Sequence, residues 1–328
     1  MKIRICYHNS IGLKNDALIL KEAIERNEKD GVSVILLEYK ERELYAHGSR
    51  TFEGTHEYDL QFFMEHIHCE YHKQAKINVF VPNIEFMNTL DVQWISHMQF
   101  VWAKTKTSFK ILQSKYPNKT IVHTEWTSID RFLPTEKTYT SLLHVRGCSR
   151  FKNTEMVLAT WLRHPEWPPI TIVQHSANMN GNVDIPLSSV ALTSNITLIQ
   201  RKVSEEELNQ LMNTHNIHVC PSMQEGFGHY INEARSCQAV VCTTHGYPMC
   251  EMVSQHECLI VTTNASKQSL GISYGISHYD FEQCMLRIIS NIPSPNQIEI
   301  GRQARTDYLS QKSRFHENVK CFIISLKD

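Results

Sequence analysis

The sequence predicts an α/β protein with two Rossmann-like βαβ domains that face each other across a ligand-binding cleft. The chain has 328 residues, more than one hydrophobic core usually organises. Short apolar runs alternate with segments of helical periodicity, which is typical of parallel sheets covered by helices. This alternation occurs twice, on either side of a polar, linker-like stretch at 130–140. We therefore expect a first domain at 1–137, a second at 138–310, and a C-terminal helix at 311–328 that packs back on the first domain.

The N-terminal half opens with a strand, a loop, a helix and a second strand. The run KIRICY is short and apolar, and DALILKEAIERNEKDG has helical spacing that ends at Gly31. VSVILLEY follows as a buried strand and completes a βαβ unit. Further strands are predicted at LQFFME, INVFV and TIVHTEW, and a helix from about 94 to 115.

The second half repeats the pattern from SLLHVRG onward. Helices are predicted at 154–164, at 204–213, at GHYINEARSCQA, briefly at PMCEMV, and from about 281 to the C-terminal end. Strands are predicted at PITIVQ, NITLIQ, IHVCPS, AVVCTT and CLIVTT. Folds of this class bind ligands at the carboxyl ends of the strands, so we expect the site there.

The composition is that of an ordinary globular protein, with 41% hydrophobic and 20% charged residues. The formal net charge of -1 lacks the basic excess of a nucleic-acid-binding domain, so we expect no nucleic-acid partner. The 10 cysteines form no CxxC pair, and several lie in apolar strand-like runs. This pattern favours reduced thiols in the cytoplasm over a disulfide scaffold.

The N-terminal segment MKIRICYHNSIGL lacks the apolar stretch of a signal peptide. No run approaches the ~20 apolar residues of a membrane span. We therefore expect a cytoplasmic location with membrane contact that is at most peripheral. On this interpretation the sequons at Asn118, Asn195 and Asn264 are chance matches.

The most informative stretch is IHVCPSMQEGFGHYINEARSCQAVVCTTHGYPMCEMV. A strand ends in it, a loop follows, and a helix begins near Gly228. Gly226 and Gly228 allow close backbone approach to a ligand, and the helix N-terminus favours a phosphate. Glu225 at the loop tip is placed to hold sugar hydroxyls, and Glu233 on the helix to hold ribose hydroxyls. The spacing alone predicts little, since Glu57 and a later glutamate share it without a glycine loop.

In this context the segment resembles the donor-site signature of glycosyltransferase family 4 and its retaining GT-B relatives. The matching pieces are the strand end Pro221-Ser222, Glu225-Gly226-Phe227-Gly228, Glu233-Ala234 and Pro248-Met249-x-Glu251. The likeness is most specific over about 196–262.

The resemblance implies a GT-B fold and a retaining glycosyltransferase of the hexosyltransferase type, EC 2.4, acting in glycan biosynthesis. The donor would be a UDP- or GDP-linked sugar, and the acceptor a glycan or a lipid-linked or protein-linked group. No cofactor is implied, and a metal is not required. Catalysis is assigned to Glu225 and His66, and donor binding includes Phe227.

Weaker matches precede this segment. HVRGCSRFKNT resembles the first strand and phosphate loop of the family's C-terminal domain, which maps donor contacts onto Gly147, Arg150 and Lys152. Cys148 stands where the commoner form carries an arginine. Arginine and lysine are suited to stabilise a departing diphosphate. Gly12 matches the glycine that approaches the diphosphate from the N-terminal side.

Parts of the first half resemble the family's acceptor domain, namely VFVPNIEF and FVWAKTKTS. His66 follows the strand LQFFME, at the place where relatives often carry a histidine near the transferred sugar. Lys104 and Thr105 are further candidates for this side of the site. His68 and His72 are spaced four apart, as a metal-ligand pair on a helix would be, but 18 histidines make such clusters frequent, so we expect no metal.

Two alternatives stay open. The first is a GT-B enzyme that processes a sugar nucleotide without transfer, such as a 2-epimerase, although those relatives lack the run from Glu225 to Glu233. The second is an inactive homologue that binds a nucleotide or glycan. The set of Gly12, Lys152 and the two glutamates argues against it. Base recognition is expected near 201–203.

Overall fold

The computed structural model describes residues 1–27, 31–39, 56–147, 149–174, 193–292 and 294–327. These residues form two compact units, which confirms the predicted α/β fold with two Rossmann-like sheets. The first unit comprises Met1–Ile129, Lys267–Ile272 and Ser310–Asp328. The second comprises Asp130–Ser266 and Ser273–Leu309.

The first unit is built on a parallel six-stranded sheet. Its strands are β1 (Lys2–His8), β2 (Ser33–Tyr39), β3 (Tyr58–Met64), β4 (Ala75–Val81), β5 (Phe100–Ala103) and β6 (Thr120–His123). They lie in the order β2-β1-β3-β4-β5-β6. The helices are α1 (Ile11–Asn27), α2 (Thr89–Trp94) and α3 (Lys106–Lys115), with short 3₁₀ turns at His72–Gln74 and Ile95–His97.

The helix predicted from about 94 to 115 is wrong in its first half. The apolar run FVWA forms β5, and α3 begins only at Lys106. Trp102 and Ala103 are almost completely buried, and β5 pairs with β4 on one side and β6 on the other. Periodicity does not distinguish a short buried strand from a buried helical turn. The structure supports the interpretation of this run as a strand.

The second unit contains another parallel six-stranded sheet. Its strands are β7 (Thr138–Gly147), β8 (Ile170–Gln174), β9 (Ile196–Gln200), β10 (His215–Cys220), β11 (Val240–Thr244) and β12 (Leu259–Ile260). They lie in the order β12-β11-β10-β7-β8-β9. Two further strands, β13 (Asn264–Gln268) and β14 (Gly271–Gly275), pair with each other.

Helices cover the second sheet. They are α4 (Thr154–Arg163), α5 (Glu205–Thr214), α6 (His229–Ser236), α7 (His278–Ile289) and α8 (Pro295–Ser325), with 3₁₀ turns at Arg150–Lys152, Met249–Met252 and His256–Cys258. The short helix predicted at PMCEMV is therefore a 3₁₀ turn. The periodicity from about 281 onward is divided between α7 and α8. Residues of α8 beyond Leu309 belong to the first unit.

Aromatic side chains from α8 complete the core of the first unit. Phe315 is fully buried, and its ring lies 4.9 Å from that of Trp126. The ring of Phe322 lies 4.8 Å from that of Trp102. Large aromatic side chains dominate the apolar area that a core removes from water, so the end of α8 contributes strongly to the stability of this unit.

Candidate active site

Two loops meet at the topological switch point of the second sheet. β7 lies between β8 and β10; the connection after β7 leads to β8 and the connection after β10 leads to β11, in opposite directions along the sheet. The segment Ser149–Asn153 follows β7 closely, and the segment Pro221–Gly228 follows β10 directly. Because β7 and β10 are parallel neighbours, both segments emerge at the same edge of the sheet. In open α/β sheets this crevice is where ligands bind.

A polar cluster joins the two loops. The Lys152 ammonium forms an ion pair with the Glu225 carboxylate, and the Ser222 hydroxyl donates a hydrogen bond to the same carboxylate oxygen. The Lys152 Nζ atom also lies 3.5 Å from the centre of the Tyr230 ring. The side chains of Lys152 and Glu225 are both 13% exposed, so they are accessible to a ligand while being held by protein partners. Two residues predicted for the donor site are thus in direct contact.

Backbone and side-chain hydrogen bonds fix the relative position of these loops. Asn153 has a φ of 53°, in the left-handed region, and its Nδ2 atom donates to the Pro221 carbonyl at 2.8 Å. The Met223 amide donates to the Phe151 carbonyl at 2.8 Å. Asparagine is one of the few residues that adopts a left-handed conformation readily. The loop after β10 is therefore attached to the loop after β7 at two points besides the Lys152–Glu225 pair.

A buried histidine on β7 connects the strand that precedes each of these two loops. His144 Nδ1 lies 2.8 Å from the Val219 carbonyl oxygen, and Nε2 lies 2.8 Å from the Thr154 hydroxyl. A carbonyl only accepts, so Nδ1 carries the proton and Nε2 accepts from Thr154. Burial is the main cause that lowers the pKa of His144 to about 4; the bond to Val219 opposes the shift, and the cations of Lys152 and Arg146 add to it. The imidazole is therefore neutral at physiological pH and ties β7 and β10 to the start of α4.

The glycine-rich part of the loop leads into α6. Gly228 has a φ of 101° and stands at the N-cap position, where a side chain would be strained. Gly226 is half-buried, whereas Phe227 is buried and packs edge-on against His229 at 5.3 Å. The N-terminus of α6 has the dipole and amide groups that favour an anion. Phe227 contributes to packing under the loop, and a direct donor contact by its ring stays a prediction.

Glu233 lies on α6 and is 6% exposed. Its Oε2 atom lies 3.0 Å from Nε of Arg131, an arginine at the start of the second unit. The carboxylate is therefore charge-compensated inside the protein. The sequence provided no signal for this partner, because Arg131 lies in the stretch interpreted as a linker.

The remaining residues predicted after β7 occupy more open positions. Gly147 has a φ of 59°, and a Cβ atom there would meet nothing within 4 Å. Arg150 is exposed, and its guanidinium lies 5.1 Å from the centre of the Phe151 ring. Neither residue contacts the Lys152–Glu225 pair through an interaction that the described residues show. Their donor contacts stay predictions.

In the first unit, Gly12 and His66 lie at the corresponding edge of the sheet. β1 and β3 are neighbours, Gly12 is in the first turn of α1 that follows β1, and His66 follows β3. Ser10 accepts a hydrogen bond from the Leu13 amide at 3.2 Å and so starts the helix. Gly12 is exposed, with nothing within 4 Å of a Cβ atom. The order β2-β1-β3 makes this the switch point of the first sheet.

His66 is oriented by an acidic partner that sequence reasoning missed. Its Nδ1 atom lies 2.8 Å from Oδ2 of Asp91, and Nε2 lies 3.7 Å from Oε1 of Glu65. Burial lowers the pKa of His66, but the hydrogen bond and charge of Asp91, helped by Glu65, raise it by more. Glu65 has a φ of 68°, and the His66 amide donates to the Met64 carbonyl at 2.9 Å, which closes a tight turn. Asp91 is the N3 residue of the capping box that starts α2. In the sequence it therefore resembles an ordinary helix-capping residue and gives no sign of its contact with His66.

Lys104 and Thr105 lie at the end of β5, as predicted for FVWAKTKTS, and have structural partners. Lys104 Nζ forms a buried ion pair with Asp16 at 2.5 Å and donates to Asn83 at 2.9 Å. Thr105 caps α3 through a hydrogen bond from the Ser108 amide at 3.0 Å. We therefore assign Thr105 to helix capping.

The histidines considered as metal ligands have other neighbours. His72 Nδ1 lies 2.6 Å from the Cys69 carbonyl oxygen, and the His68 ring packs at 4.5 Å from that of Tyr39. Within the described ranges, no group of three His, Cys, Asp or Glu side chains is arranged to hold a metal ion. Likewise, none of the helices in these ranges combines the length and apolarity needed to cross a membrane.

Two Rossmann-like α/β units, each with candidate residues at its switch point, define the GT-B class of fold. Residues 188–280 match the family model described as glycosyl transferases group 1, and this region contains the Glu225–Glu233 loop. The resemblance found in the sequence is thereby confirmed over residues 188–280. No curated protein matches the chain in sequence.

Solved structures share the fold at low sequence identity. Sucrose-phosphate synthase from Thermosynechococcus elongatus is 13% identical with a TM-score of 0.64, over 100% of this chain and 98% of that one. HepE from Anabaena, solved in complex with UDP and glucose, is 14% identical with a TM-score of 0.65, over 99% and 98%. A chain of the GtfA/B complex is 13% identical with a TM-score of 0.62, over 82% of this chain but only 57% of that chain. This protein thus spans little more than half the length of that relative.

Proposed function

We propose that this protein is a retaining glycosyltransferase that moves a sugar from a nucleotide-sugar donor to an acceptor hydroxyl in glycan biosynthesis. The observation that carries the proposal is the cluster of Lys152, Glu225 and Ser222 in front of the N-terminus of α6. It combines a cation, a carboxylate and a helix dipole at the switch point of a Rossmann-like sheet. The family match over residues 188–280 supports the same assignment.

The proposed reaction transfers the glycosyl group with retention. The bond between the anomeric carbon and the diphosphate oxygen breaks, and a bond to the acceptor oxygen forms on the same face of the sugar. The acceptor proton passes to the departing phosphate, so no strong protein base is needed. Lys152 and the first amides of α6 stabilise the negative charge that gathers on the diphosphate. This cationic and dipolar environment takes the place of a divalent metal.

The carboxylates have different roles in this proposal. Glu225 accepts hydrogen bonds from the hydroxyls of the transferred sugar, and its contact with Lys152 keeps it oriented. Glu233 accepts hydrogen bonds from the ribose. In the first unit, Gly12 approaches the diphosphate and His66 contacts the sugar or the acceptor. The acceptor is a glycan, or a lipid-linked or protein-linked group.

We further propose that the protein works in a reducing compartment, as expected for the cytoplasm. Each cysteine in the part of the chain that the structure describes is a free thiol, and most are buried. Buried, apolar surroundings raise the pKa of Cys6 to about 12, with Arg4 opposing the shift. Such thiols behave as small apolar side chains of the core.

The test is donor turnover by wild type, Glu225→Ala and Glu225→Gln across UDP-, GDP- and other sugar nucleotides. We expect turnover with one class of donor, at least about 100-fold slower in both variants because a charged hydrogen-bond acceptor for the sugar is lost. The matched control is Glu57→Ala, since Glu57 is a half-exposed carboxylate that pairs with Lys2 at the surface. NMR of the product reports the anomeric configuration. Unchanged activity in the Glu225 variants, or no turnover of any donor, would contradict the proposal.

A further inference from the structure

Arg131 is a buried arginine in the segment that opens the second unit. Only 4% of it is exposed, and its Nε atom lies 3.0 Å from Oε2 of Glu233. The ion pair is not aligned as a straight hydrogen bond. A guanidinium placed beside a carboxylate at this depth supplies the charge compensation that burial requires.

The position of Arg131 is fixed by contacts with two helices. Its backbone amide donates to the Ser236 hydroxyl on α6 at 3.0 Å, and its carbonyl accepts from Asn213 on α5 at 2.6 Å. The Nη1 atom donates to Glu205 and to Asn209, both on α5 and both at 2.7 Å. The backbone of Arg131 is thus fixed by α6 and α5, and the Nη1 atom of its guanidinium is held by α5.

The charges around Arg131 favour an ionised cluster. Burial lowers the pKa of Arg131, but the Glu233 and Glu205 carboxylates raise it by more, so the guanidinium stays protonated. The Glu205 side chain is 70% exposed and is solvated, whereas that of Glu233 is 9% exposed. Among the described residues, no other side chain forms a hydrogen bond or ion pair with the Glu233 carboxylate. Its Oε1 atom is therefore available to a ligand while Oε2 lies against Arg131.

We propose that Arg131 is a positioning residue for the nucleotide. It holds the Glu233 carboxylate in the orientation in which Oε1 accepts hydrogen bonds from ribose hydroxyls. The inference rests on the proposed function, in which Glu233 contacts the ribose. A residue at the start of the second unit, in a stretch with linker composition, thus determines how strongly the protein distinguishes a ribose with hydroxyls from one without.

The experiment compares binding of UDP and GDP with binding of their 2′,3′-dideoxy analogues by calorimetry. The proteins are wild type, Arg131→Lys, Arg131→Met and Glu233→Gln. The matched control is Arg305→Met, because Arg305 holds the same segment through Asp130, at 2.5 Å and 3.1 Å, without contacting Glu233. Thermal unfolding identifies any variant that does not fold, and Arg131→Lys retains the charge should Arg131→Met fail to fold.

Wild type is expected to bind the nucleotide about 10- to 100-fold more tightly than its dideoxy analogue, as hydrogen bonds to a carboxylate imply. The Arg131 variants should lose most of this ratio, as Glu233→Gln does, while binding the dideoxy analogue within about threefold of wild type. Arg305→Met should keep the ratio. A folded Arg131 variant that keeps the full ratio overturns this inference alone. Wild type that binds neither UDP nor GDP overturns the proposed function together with it.

Discussion

Lys104 and Asp16 form an ion pair in the interior of the first unit. The Lys104 Nζ atom lies 2.5 Å from Oδ2 of Asp16, and the two side chains are 1% and 3% exposed. The pair connects the end of β5 to the first half of α1, close to the turn that contains Gly12. A charge at this depth needs its partner, because an isolated buried carboxylate is strongly unfavourable.

Replacing Lys104 by methionine should lower the free energy of unfolding by about 3–5 kcal/mol, since it leaves Asp16 buried without its cation. Urea unfolding followed by circular dichroism measures the change. The control is Lys76→Met, because Lys76 pairs with Asp59 at 2.7 Å on the surface, where the side chains are 61% and 36% exposed. That substitution should cost less than about 1 kcal/mol. Equal losses in the two variants would contradict the burial argument.

The substitution Gly12→Ala distinguishes a role of Gly12 in donor binding from a purely structural role. Alanine is favoured over glycine in a helix by up to about 1 kcal/mol, and a Cβ atom at Gly12 meets no protein atom within 4 Å. We expect unchanged or higher stability together with a raised KM for the donor, because in the proposed function the diphosphate approaches Gly12 and the methyl group would occupy that space. Stability comes from urea unfolding and KM from donor turnover. A stabilised variant with wild-type KM would show that Gly12 has no contact with the donor. Gly228→Ala is the contrast, since a φ of 101° makes it destabilising in itself.

Two buried histidines should make the protein less stable in mild acid. Burial, aided by neighbouring cations, lowers the pKa of His144 to about 4 and that of His218 to about 3. In the unfolded chain both histidines have the ordinary pKa near 6.5. Between pH 6.5 and 4 the unfolded chain therefore binds more protons than the folded one. Stability is therefore lost as the pH falls, by about 2 kcal/mol for each histidine between pH 7 and 5. Urea unfolding of His144→Gln and His218→Gln should show a correspondingly smaller pH dependence, unlike the exposed control His245→Gln.

The pKa of His66 should fall when Asp91 is neutralised. Burial alone would lower this pKa, and the Asp91 carboxylate at 2.8 Å outweighs it. A raised pKa means that protonated His66 favours the folded state below its ordinary pKa, and that this contribution disappears as the pH rises through the folded value. NMR titration of the imidazole in Asp91→Asn tests the expectation. Glu65→Gln should lower the pKa by less, because Glu65 is 3.7 Å away. A larger effect of Glu65 would reverse the assignment of the dominant partner.

The alternation of strands and helices was readable from the sequence because each element has a regular apolar pattern. The strand β5 shows the limit of that reasoning. FVWA is buried on both faces and too short for any period to emerge, so neighbouring helical periodicity obscured it. Only its pairing with β4 and β6 defines it as a strand.

In the candidate site, too, some features were predictable from the sequence and others were not. Glu225 and Lys152 were predicted from local motifs, and adjacent parallel strands bring such motifs to one edge. Their direct pairing, and the contact between Arg131 and Glu233, depend on side chains far apart in the chain, for which a single sequence holds no pattern. Arg131 in particular stands in a polar stretch that composition interprets as a connection.

The first unit takes its core aromatics from both ends of the chain, and this has a consequence for synthesis on the ribosome. Trp102 and Trp126 emerge early, whereas Phe315 and Phe322, which pack against them, are translated some 190 residues or more later. The core of the first unit therefore cannot be completed, and these two tryptophans lack their α8 partners, until the second unit has been synthesised. Nascent chains halted near residue 300 should be good clients for chaperones that recognise exposed apolar surface, and release should follow completion of α8.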